Sequence, residues 1–127
     1  MISAKFGLAT MSEKETEEYQ KIYAEIQMKF RARLPGQACG LEDLRHACLV
    51  PDTDTTVLSK NLSELLHTAH TLAGQSGTLG HPELSAAASA VEERACTIIQ
   101  SGKVDDTAEL KQLSDLVRTL VGLITDL

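Results

Sequence analysis

The chain has 127 residues, 43% hydrophobic and only 3% aromatic, with 12 basic and 18 acidic side chains that leave a net charge of −6. That length builds one core of ordinary size and not two. An acidic chain with two Phe, two Tyr and no Trp has neither a basic stripe nor a stacking platform, which argues against nucleic acid as its main partner.

Residues 1–11 read as an N-terminal tail, and residues 12–127 as a single helical domain. From Ser12 to Leu34 the residues Tyr19, Ile22, Tyr23, Ile26, Phe30 and Leu34 recur at steps of three and four, the stripe of an amphipathic helix. Ser12 and Glu15 have the spacing of a capping box. Pro35-Gly36 predicts a stop, followed by a shorter helix through Leu41, Leu44 and Cys48 that ends at Val50-Pro51. The Asp52-Thr53-Asp54 cluster can cap the next helix, whose stripe is Leu58, Leu62, Leu65, Ala69, Leu72 and Ser76. Gly80-His81-Pro82 is a turn with proline at a first helical position. The following helix uses Leu84, Ala87, Val91, Ala95 and Ile98 and ends near Gly102. A last one, opened by Asp105-Asp106, uses Leu110, Leu113, Val117, Leu120 and Ile124.

No segment alternates with period two, so the expected class is all-α. Short connections and one apolar stripe per helix predict an antiparallel up-down four-helix bundle with an additional N-terminal helix. Cys39, Cys48 and Cys96 are odd in number and form no CxxC pair, so neither a disulfide framework nor a cysteine zinc site is expected, and a reducing, cytosolic compartment fits best. No apolar run is long enough for a secretory h-region or a membrane span.

The chemistry concentrates between Leu65 and Pro82. Those eighteen residues contain no Asp, Glu, Lys or Arg, yet hold three of the four histidines and three of the eight glycines. Glycine costs a helix interior about 1 kcal/mol relative to alanine, so Gly74 and Gly77 within two turns need a reason beyond helix formation. At about 100° per residue His70 lies roughly 130° from the centre of the apolar stripe and should face water. Gly74 and Gly77 fall on nearly the same line, which predicts bare backbone beside the imidazole. A histidine that accepts a phosphoryl group needs an unhindered nitrogen and a neutral ring near pH 7, and the unperturbed imidazole supplies the latter.

The run His70-Thr71-Leu72-Ala73-Gly74-Gln75-Ser76-Gly77-Thr78-Leu79-Gly80 resembles the signature of histidine-containing phosphotransfer (Hpt) domains: a histidine, an apolar residue two on, glycine four on, small residues, then an apolar-glycine pair. Family members often carry lysine where this chain has Ala73, and a smaller residue where it has Gln75. The resemblance implies that His70 is the phosphoacceptor and that Gly74 keeps its flank open. It also implies that donor and acceptor are an aspartate on a response-regulator receiver domain or a hybrid sensor histidine kinase. Ser63, Leu66, His67, Ala73, Gly74 and Gly77 are the candidate docking and site-shaping residues around it. The receiver would bring its own magnesium ion, so no cofactor is expected of this chain, and the absence of GxxxxGK[ST] and GxGxxG runs gives no ATP site. The expectation is a carrier and not an enzyme, and a monomer, because the uncharged face must stay free for docking.

Other constellations are weaker. Glu64-x-x-His67 has di-iron spacing but no second copy on another helix. Glu92-Glu93 reads as the solvent side of a helix, and Asp105-Asp106 as acids at a helix N-terminus, so both have structural explanations. His81 reads as turn chemistry, and His46 points to nothing. The competing class is a helical docking bundle that uses the same small-residue face without being phosphorylated.

Overall fold

The computed structural model describes residues 12–127, and every regular element among them is an α-helix. The tail expected at residues 1–11 lies outside the described residues. The helices are α1 (Glu13–Cys48), α2 (Thr55–Thr78), α3 (Pro82–Ser101) and α4 (Thr107–Thr125). The chain divides into two compact units, one ending at Arg33 and the other spanning Leu34–Leu127.

Two expectations for the N-terminal region are corrected. The stop at Pro35-Gly36 does not occur: Pro35 sits inside a continuous helix of 36 residues, so the described residues form four helices and not five. Proline removes one backbone donor and crowds the carbonyl four residues earlier. Here Pro35 is exposed, where water can satisfy the freed carbonyl, while Leu34 and Leu41 on either side are buried and hold the flanking turns in place. Packing outweighs the local penalty. Secondly, the stripe predicted along the first helix is not buried throughout. Phe30 and Leu34 are buried, but Tyr19, Ile22, Tyr23 and Ile26 are exposed. At about 1.5 Å per residue α1 is roughly 54 Å long, and its first part, up to Arg33, belongs to a unit separate from the one that holds the other helices.

In the unit Leu34–Leu127, helices α2, α3 and α4 follow one another through connections of a few residues and pack as antiparallel neighbours. The predicted stripe of α2 is buried at every position, from Leu58 to Ser76, as is that of α4 from Leu110 to Ile124. On α3 the buried set is Leu84, Ala88, Val91, Ala95 and Ile98, so Ala88 takes the place expected for Ala87. The core is therefore aliphatic, built from leucine, isoleucine, valine and alanine. The end of α1 joins it through Leu41 and Cys48, and the Arg45 guanidinium donates to Ser114 Oγ on α4 at 3.2 Å.

Local signals set the ends. Ser12 Oγ accepts the Glu15 amide at 3.1 Å. Asp54, and not Asp52, caps α2 by accepting the Thr56 amide at 2.7 Å. Pro82 opens α3, and Gly102, at φ 72°, closes it in the left-handed conformation that glycine adopts without strain. Asp106 accepts the Ala108 and Glu109 amides and starts α4.

Candidate functional site

His70 stands near the middle of α2. Its neighbours Ala69 and Leu72 are fully buried and fix that turn of helix, which sends the His70 side chain outward, 69% exposed. The ring is not loose, because its Nδ1 is paired with the carboxylate of Glu92 on α3. An ionised carboxylate can only accept, so this contact requires the proton on Nδ1. The neutral ring then presents Nε2, with its lone pair, to solvent.

Glu92 corrects the sequence reading, which gave the Glu92-Glu93 pair a structural role only. Glu93 does face solvent, but Glu92 is half-buried and turned to the histidine. The signal was present in the chain. If α2 and α3 pack antiparallel about the turn at Gly80, His70 lies opposite residues near 90, and Glu92 is the acid on that turn of α3. Helical periodicity already separates the two: at about 100° per residue Glu92 lies roughly 80° from the centre of the buried stripe of α3, at its border, and Glu93 roughly 180° from it.

The glycines have different jobs. A Cβ built on Gly74 would meet nothing within 4 Å, so the turn after His70 is open backbone there. A Cβ on Gly77 would come to 3.3 Å from Ser85 Oγ on α3. Gly77 is exposed, yet what its missing side chain makes room for is the neighbouring helix and not a bare flank for His70. Ser85 uses that closeness to donate to the Ala73 carbonyl at 2.8 Å, a hydrogen bond across the α2–α3 interface. Ala73, expected among the docking residues, is itself buried; a side chain turned into the interface presents almost no surface to a partner.

Ser63 and His67 are exposed and Leu66 is half-buried, on the turns of α2 before His70. Together with Gly74 they form a surface around the imidazole with no charged side chain from α2 after Glu64. Gln75 is half-buried, and its Oε1 is enclosed without a hydrogen-bond partner among the described residues. No cluster of three or more His, Cys, Asp or Glu that would suit a metal ion occurs among the described residues. No helix among them is long and apolar enough to cross a membrane.

Comparison with known families matches the chain to the Hpt domain over residues 29–124. Neither the curated proteins nor the solved structures contain a match. The matched span takes in the C-terminal half of α1, all of α2 and α3 and nearly all of α4, with His70 and Glu92 inside it, and the chain therefore belongs to the Hpt domain family.

Proposed function

We propose that this protein carries a phosphoryl group on Nε2 of His70, taking it from an aspartyl phosphate of a receiver domain or hybrid sensor kinase and passing it to another receiver aspartate. Hpt domains serve phosphorelays as histidine phosphotransfer modules, carriers without an ATP site of their own. The observation that supports assigning the role to His70 is its exposed ring with Nδ1 engaged by Glu92.

In the transfer, the Nε2 lone pair attacks phosphorus, the N–P bond forms, and the P–O bond to the donor aspartate breaks, its electron pair leaving with the carboxylate. The Nδ1 proton stays where it is. The imidazole gains positive charge as the bond forms, and the Glu92 carboxylate faces that charge from the side away from the phosphoryl group. Such transfers depend chiefly on positioning and on electrostatics. On this side of the complex, α2 supplies an oriented nucleophile and, at Gly74, room for the partner to close over it.

The test is label transfer from a phosphorylated receiver domain. Native protein should acquire a label that is acid-labile and base-stable, and His70→Gln should acquire none. A docking bundle without phosphorylation would bind receivers and take no label, and equal labelling of His70→Gln would move the acceptor elsewhere.

A further inference from the structure

The first three turns and more of α1 carry a surface that the phosphotransfer site does not use. Tyr19, Ile22 and Ile26 are 63%, 57% and 46% exposed, although they lie on one stripe at steps of three and four. This is the spacing by which two helices bury a shared seam. Almost all of it precedes residue 29, where the match to the Hpt family begins.

The charges on the same segment say what fits there. Residues 13–33 hold five acidic and five basic side chains and are neutral overall. They are strongly sorted, however. Glu13, Glu15, Glu17 and Glu18 stand at the start with Lys14, giving −3, and Lys29, Arg31 and Arg33 stand at the end, giving +3. A neutral helix with an acidic end is poorly suited to an anionic lipid surface, which selects a basic polar face. A segment with opposite charges at its two ends and its apolar stripe in the middle is complementary to itself when reversed.

We propose that the protein forms a two-fold dimer by antiparallel pairing of this segment of α1 with the same segment of a second copy. The seam positions Glu15, Tyr19, Ile22, Ile26, Lys29 and Arg33 then fall into matching layers. Ile22 packs on Ile26 of the second copy, the Tyr19 ring meets the aliphatic stem and ammonium of Lys29, and Glu15 faces Arg33 at each end. The reversed order brings every acidic end against a basic end, whereas a parallel pair would align like charges. No residue of the surface around His70 takes part in the pairing.

Sedimentation equilibrium of the full chain over a range of concentrations tests this. The expected result is a monomer–dimer equilibrium that sodium chloride weakens, because the end-to-end attractions are exposed and screened. Ile22→Asp should weaken association by more than about tenfold, since pairing would bury a charge without a partner. The double variant R31E/R33E should lose the dimer, as should E15R/E17R, and mixing the two should restore a heterodimer. All four positions are exposed, so circular dichroism should report helix content unchanged apart from the first turns of α1 in E15R/E17R, where the native acids favour the helix N-terminus. A chain that stays monomeric up to near-millimolar concentration overturns the proposal. So does a dimer indifferent to Ile22→Asp, and one that tightens with salt places like ends together and excludes the antiparallel arrangement.

Discussion

Glu92 on α3 and His70 on α2 are twenty-two residues apart in sequence and joined by one hydrogen bond, from Nδ1 to the carboxylate. That contact fixes which ring nitrogen bears the proton and which is available for chemistry. Removing the carboxylate in Glu92→Ala should lower the rate of transfer to His70 by about tenfold or more, the usual cost of losing the group that orients a histidine. In nitrogen NMR spectra the Nδ1–H tautomer should lose its predominance. Glu92→Gln retains an acceptor oxygen and should recover the tautomer and part of the rate. A purely structural role for Glu92 would move the unfolding midpoint while leaving tautomer and transfer rate as they are in the native protein.

Gly74 and Gly77 are predicted to respond in opposite ways to the same substitution. At Gly74 a side chain enters open space, so Gly74→Leu should keep or raise stability, by up to about 1 kcal/mol, while blocking transfer by covering the flank of His70. At Gly77 the new atoms meet Ser85, whose hydroxyl is committed to the Ala73 carbonyl. Gly77→Leu should therefore destabilise the fold by about 1–3 kcal/mol through overpacking at the α2–α3 interface. Urea denaturation and label transfer, run on both variants, separate the two effects.

Ser76 is fully buried, and its hydroxyl has no hydrogen-bond partner among the described residues. A buried polar group without a partner is a cost, and alanine also favours the helix. Ser76→Ala should stabilise the protein by about 1 kcal/mol and leave transfer unchanged. A loss of stability on this substitution would mean that the hydroxyl is satisfied in solution.

The Arg45 side chain donates to both Glu42 carboxylate oxygens, at 3.1 and 2.9 Å, and holds the Glu42 carboxyl below its ordinary value. A carboxyl whose folded value is depressed contributes stability above its unfolded value, near 4.5, and loses it as pH falls through the folded value. The pair is partly open to water and is worth under about 1 kcal/mol. Glu42→Gln should accordingly be slightly less stable than the native protein at pH 7, and the difference should shrink as pH falls below 4.5 and through the lowered folded value. Denaturation midpoints followed from pH 7 into acid measure it, and a difference that persists throughout would assign the effect to packing.

The sequence by itself determined most of helices α2, α3 and α4, because their stripes, caps and breaks are short-range. The buried positions of α2 and α4 coincide with the predicted ones, and Asp54, Gly102 and Asp106 act on backbone groups within a few residues of themselves. The run from His70 to Gly80, and the family that it resembles, was legible for the same reason. What tertiary structure decided concerns residues far apart in the chain. Pro35 lies inside a helix because buried leucines on both sides outweigh a local preference. Tyr19, Ile22, Tyr23 and Ile26 have the pattern of a core face yet are exposed, since periodicity records amphipathicity and not what covers the stripe. Gly77, Ala73 and Ser85 form one contact, and Glu92 meets His70, because α2 and α3 pack antiparallel in one register. Helical spacing fixes the face on which a side chain stands; the packing of the neighbouring helix fixes what it meets there.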